Sequence, residues 1–263
     1  MNLNKLVKYA LFLLLVVVIS GCGPDEPTPE PPTSTTAPES SPTPAPADLT
    51  IGMTVMDPDL VNSFARNGDI FAVWVKDDLT WTEGLLEQVP VENRMLMTGS
   101  FEGLEESLDS LSVEISYVGY DLERWALTPQ NEQDNPVKAL KKAHEITRSR
   151  GLKLVLAPSR YFNDKFGPQL APHTDVYVPQ MRGYETNLSP AEHRNTLEPL
   201  IRDLKAANPE IIVLLDLSPK EMDKTPDEML ESTQELLDLI DGVWITSTQE
   251  HADIIETFIK FLR

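Results

Sequence analysis

Residues 135–160 read NPVKALKKAHEITRSRGLKLVLAPSR. The first sixteen predict a helix, Asn135–Arg150, with a helix-compatible proline near its start and Gly151 as its stop. The next run, Lys153–Pro158, is almost continuously apolar, as strands buried on both faces tend to be. Working outward, the same couplet recurs along the chain. Strands are predicted at Leu49–Met56, Asp69–Val75, Arg94–Thr98, Val113–Asp121, Lys153–Pro158, Asp175–Met181, Ile211–Leu217 and Gly242–Thr246. Helices are predicted between them at Pro58–Arg66, Trp81–Gln88, Glu102–Leu111, Asn135–Arg150, Asn163–Leu170, Pro190–Ala207, Pro226–Asp241 and Glu250–Leu262. Ser189 reads as an N-cap, and Thr225 with Glu228 has capping-box spacing. Strand then helix, eight times, predicts a (β/α)8 TIM barrel forming one domain over residues 49–263. The alternative, an open doubly wound sheet, lacks its phosphate-binding fingerprints, G-x-G-x-x-G and G-x-x-x-x-G-K-[ST].

Upstream of the repeats the composition changes. Lys5 and Lys8 precede an apolar run, Ala10–Ile19, whose ten residues suit a signal-peptide core and are too short to span a bilayer. Ile19-Ser20-Gly21-Cys22 follows and resembles the bacterial lipobox. That resemblance implies a signal peptide over residues 1–21 and lipidation of Cys22, which anchors the chain to the cell envelope at the outer face of the cytoplasmic membrane or at the outer membrane. Two or more acyl chains hold a protein stably where one does not. Residues 23–48 hold nine prolines in 26 positions and no large apolar side chain. They read as a disordered Pro/Thr-rich tether, residues 22–48 with the lipidated cysteine, able to extend on the order of 80 Å at ~3.1 Å per residue.

The chain has 263 residues, one cysteine and a net charge of −20. One cysteine excludes an internal disulfide and every multi-thiolate metal site. The acidity argues against a nucleic-acid partner, since a phosphate backbone is repelled. His144, His173, His193 and His251 show no H-x-x-x-H spacing, and no nucleophile elbow is present, so no metal or cofactor is implied. The chain reads as a monomer.

In a (β/α)8 barrel, chemistry sits at the carboxyl ends of the strands. The fourth strand, VEISYVGYDLERW (113–125), places Tyr117, Gly119, Asp121 and Glu123 on one face by its period of two. Inward, that face stacks two carboxylates at the mouth, an arrangement suited to a general acid. A barrel whose fourth strand ends in D-x-E resembles the chitinase-like glycoside hydrolase family 18. Of its fuller pattern D-x-x-D-x-D-x-E, Asp121 and Glu123 match, while Ser116 and Gly119 occupy the other two acidic positions. The resemblance implies Glu123 as general acid and Asp121 as the group orienting a substrate N-acetyl, whose oxygen serves as nucleophile. It implies Gln180 and Tyr184 beside that group and Trp244 beneath the sugar.

Trp125, just past the fourth strand, and Arg182 and Asp216, past the sixth and at the seventh, are further substrate-binding candidates. The partner would be a carbohydrate or small molecule. Three competing readings stand beside these. Asp121 and Glu123 begin a surface loop, with Glu123 paired to Arg124 or Arg160. Trp74 and Trp244 are core. The barrel binds a glycan without cleaving it.

Overall fold

The structure, a computed structural model, describes residues 49–75, 79–180, 188–218, 225–246 and 249–263. The signal peptide, Cys22, the tether, Arg182 and Tyr184 lie outside these. Eight parallel strands close into a barrel in sequence order, with β8 pairing back onto β1. They are β1 (Thr50–Thr54), β2 (Ile70–Trp74), β3 (Arg94–Thr98), β4 (Tyr117–Leu122), β5 (Lys153–Pro158), β6 (Val176–Tyr177), β7 (Ile212–Leu217) and β8 (Gly242–Ile245). The helices are α1 (Pro58–Phe64), α2 (Leu79–Leu86), α3 (Leu104–Ser110), α4 (Gln130–Asp134), α5 (Pro136–Ser149), α6 (Arg160–Leu170), α7 (Pro190–Ala207), Pro226–Gln234 and the last, Ala252–Leu262. The molecule is a TIM barrel, as the alternation of strand and helix predicts.

Boundaries shift where hydrogen bonding, which apolarity does not report, ends an element. The sixth strand pairs over two residues, with one further bridge from Ser159 to Gln180. The predicted helix Pro226–Asp241 stops at Gln234. Its last residues tighten into turns, Leu236 N–H to Thr233 O and Leu239 N–H to Leu236 O. Those turns bury Leu236, Leu239 and Ile240 together. Both N-caps form as expected: Ser189 with Glu192, and Thr225 with Glu228, complete capping boxes.

Strand residues alternate between two cores. Outward side chains such as Val118, Tyr120 and Leu122 pack under the helices. Inward ones, including Ile70, Met95, Tyr117, Val155, Leu214 and Trp244, fill the barrel. Following the strand register around the barrel sorts the inward positions into layers from alternate strands. Ala72, Gly119, Val178 and Trp244 form one. Thr54, Met97, Ala157 and Asp216 lie above it, and Trp74, Asp121, Gln180 and Thr246 form the rim. The filling is apolar below and polar at the carboxyl ends, which is what makes the mouth a site and the interior a core.

At the opposite end, aspartates cap the strand starts. Asp69, Asp175 and Asp241 accept the amides of Ile51 (2.8 Å), Leu154 (2.7 Å) and Val213 (2.8 Å), each on the strand before their own. Arg263 reaches Asp69 at 2.5 Å, with both side chains buried, and also donates to the carbonyls of Leu49 and Phe64.

Candidate functional site in the barrel mouth

Beta-strand alternation turns Asp121 into the barrel, where it is 4% exposed. Gln180 reaches it across β5: its Nε2 donates to Asp121 Oδ1 at 2.5 Å and to Ala157 O at 2.9 Å. Both partners are acceptors, which fixes the amide with its NH2 toward Asp121. Asp121 Oδ1 is therefore an acceptor held by a donor that is itself anchored to backbone.

Glu123 comes just after β4 ends and is half-buried. The loop that carries it is tied by Thr128, a residue the sequence did not single out. Glu123 N–H (3.4 Å) and Trp125 Nε1–H (2.9 Å) donate to Thr128 Oγ1, which donates in turn to Asp121 O at 3.4 Å. Gln133 Nε2 donates to the carbonyls of Trp125 and Thr128 at 3.0 and 2.7 Å. Beneath this loop Tyr120 donates its hydroxyl to Glu132 Oε2 at 2.7 Å, and burial first, then this bond, pushes that hydroxyl's pKa up.

A cavity of 200 Å³ opens at the mouth, lined by Asp121, Glu123, Trp125, Gln180, Asp216 and Trp244 together with Thr54, Trp74, Met97, Ala157, Val178 and Thr246. Six candidates taken from the sequence thus meet in one cavity. The Glu123 carboxylate makes no ion pair or hydrogen bond with a described residue, and the reading that pairs it with Arg124 or Arg160 does not hold. Arg160 pairs with Asp164 at 3.5 Å, and Arg124 lies over the Tyr161 ring. Asp216 is buried on the β7 side, and Thr246 Oγ1 donates to its Oδ1 at 3.3 Å. Trp74 and Trp125 meet edge to face, centroids 5.9 Å apart, so Trp74 joins the wall besides packing. Trp244 is core and floor at once: it is buried, and its ring fills the space in front of Gly52.

The two non-acidic positions of the family pattern have different explanations. Ser116 precedes β4 at the far end of the barrel, where its hydroxyl donates to Val91 O. Gly119 faces inward, but a Cβ there would sit 2.3 Å from Met97 Sδ and 2.7 Å from Met95 Cε. Methionines fill the volume that any side chain at position 119 would take. Asp57, at the end of β1, accepts from the amides of Asp59 and Leu60 and caps α1. A larger groove of 470 Å³ lies outside the barrel between α4, α5 and the loop after β3. Its buried acid, Glu132, is occupied by the amides of Phe101 and Glu102 and by Tyr120.

No protein-family model and no curated protein matches the sequence. Solved structures do match in shape. The catalytic domain of a glycoside hydrolase family 18 chitinase from the fern Peteris ryukyuensis superposes with a TM-score of 0.59 at 12% identity, over 81% of this chain and 99% of that one. A xylanase and α-amylase inhibitor protein bound to trehalose gives 0.53 at 11%, over 82% and 98%. An active-site mutant of a Rhizomucor miehei β-1,3-glucanosyltransferase, in complex with laminaritriose, gives 0.51 at 11%, over 80% and 91%. At these identities the likeness establishes the fold alone, a TIM barrel.

Proposed function

We propose that this protein is a glycoside hydrolase-like barrel acting on a glycan at its mouth, with Glu123 as general acid. The observation that carries the reading is the Glu123 carboxylate, free of any protein partner among the described residues and lining one cavity with the clamped Asp121. A general acid must be positioned yet available to the leaving oxygen. Thr128 and Gln133 supply the positioning. Asp121, held by Gln180, orients the sugar substituent, and Trp125 and Trp244 offer the apolar faces that sugar rings pack on. Asp216 supports from the β7 side, and the sequence adds Arg182 and Tyr184 as substrate-binding candidates.

The test is hydrolysis of chromogenic N-acetylglucosaminides. Glu123→Gln is expected to lower turnover by about 10²–10⁴-fold. Equal rates in wild type and variant would remove Glu123 from the mechanism.

One observation favours a second reading, a surface protein that binds glycan without turnover. Met97 occupies the place of the middle acid beside Gly119, so the proton relay of a full acidic row is missing. A barrel fold alone does not imply catalysis. Oligosaccharide binding with no product release from any substrate would establish this reading instead.

In either case we place the protein at the bacterial envelope, lipidated on Cys22 and carried on its tether. Metabolic labelling with a radioactive fatty acid should mark the wild type and leave Cys22→Ala unlabelled and soluble. Label on both would overturn that placement.

A further inference from the structure

Charge in this molecule is segregated. Between Lys138 and Lys165 stand eight basic and two acidic residues, a net of +6 in a chain of −20, so the rest carries −26. All eight cations are exposed, on α5 and its C-cap Arg150, the start of β5 and the first turns of α6. Where this face meets the mouth, two cations converge on one exposed tyrosine. The Arg124 guanidinium lies 4.6 Å from the Tyr161 ring centroid and the Lys165 ammonium 4.5 Å from the same centroid. Lys165 Nζ also donates to the Tyr161 hydroxyl at 2.8 Å.

Among the described residues neither Arg124 nor Lys165 is ion-paired with a carboxylate. The nearby acids are accounted for: Asp164 pairs with Arg160, and Asp134 acts on Tyr161 only at longer range. Like charges brought together without a counter-ion repel, and in a protein rich in acids the absence of a partner here is notable chemistry. Arg124 directly follows Glu123, so the cluster adjoins the cavity. A cation on an aromatic face beside a second donor suits an oxyanion.

We propose that Arg124, Tyr161 and Lys165 form an anion subsite on the rim, and that the glycan this barrel takes carries an acidic substituent on the sugar next to the one over Glu123. The inference rests on the mouth being the glycan site. It runs against the overall charge, but screening resolves the conflict: at physiological salt the Debye length is about 8 Å, so a ligand in contact with the rim feels the local cations more than the distant acids.

The test is calorimetric titration of the intact protein with chitohexaose (neutral), a hyaluronan hexasaccharide (carboxylate) and a chondroitin 4-sulfate hexasaccharide (carboxylate and sulfate). Wild type is expected to bind the acidic sugars at least tenfold more tightly than the neutral one. Arg124→Ala with Lys165→Ala should abolish that preference and leave chitohexaose affinity within twofold. Lys165→Arg should retain it. Acidic sugars that bind no better than chitohexaose, or not at all, would overturn the proposal. So would an equal loss from Lys141→Ala with Lys142→Ala, which would mean diffuse attraction to the α5 face. Trp125→Ala separates the two readings. If it changes binding of no sugar while the rim variants still abolish the acidic preference, the mouth reading fails and takes with it the placement of the acidic sugar beside Glu123, while anion binding at Arg124, Tyr161 and Lys165 is upheld.

Discussion

At the scale of single residues, Gly119 and Met97 are a coupled pair. Sequence shows a glycine where the resembling family has an acid; structure shows why it is tolerated, because Met97 and Met95 already occupy the space. Gly119→Asp is expected to destabilise by about 1–3 kcal/mol from overpacking alone. Adding Met97→Ala should recover part of that loss in thermal melts, and a double variant no more stable than the single one would refute the coupling. Thr128→Ala should lower kcat for any measured turnover more than it lowers the melting temperature, since its hydroxyl ties Glu123 and Trp125 to β4. Asp121 and Glu123 were legible because strand alternation needs only the spacing. Thr128 was not, because nothing in the string ALTPQ announces a hydroxyl shared by three groups.

Elements reveal a second kind of coupling, through charge. Arg194 on α7 reaches Asp238, beyond the helix Pro226–Gln234, at 2.6 and 2.8 Å, and pairs with Glu198 at 3.1 Å. Arg194's hydrogen bond holds Asp238 below the usual carboxylate range, and Arg202 foremost does the same for Glu198. A carboxylate whose folded pKa lies below its unfolded one stabilises the fold above the unfolded value, about 4, and loses that contribution as pH falls through the folded value. Exposure screens these pairs, so the effect is small. Asp238→Asn should flatten the drop in melting temperature between pH 5 and pH 3, and a slope identical to wild type would show the bridge contributes nothing. The strands and helices themselves were legible from apolar runs and caps. Their ends were not, as the short β6 and the early stop at Gln234 show, because ends depend on which backbone partner is near.

For the whole molecule, closure of the barrel is sealed by residues far apart in the chain. Asp69 and Arg263 meet in the interior of the amino-terminal end, 7% exposed on the arginine side and 1% on the aspartate side. Removing one partner strands a buried charge, so Arg263→Ala is expected to cost about 3–5 kcal/mol. Chemical denaturation would measure it, and a loss under 1 kcal/mol would contradict the lock. By itself the sequence determined that eight strand–helix couplets form a barrel, since period and burial pattern are local properties that admit few closed arrangements. It also determined that Asp121 and Glu123 share a face. Only the tertiary structure decided that Gln180 clamps Asp121, that Met97 fills the place of a third acid, and that Arg124 and Lys165 converge on one tyrosine. Those are contacts between different strands and helices, fixed by register and packing, and no spacing within a single strand encodes them.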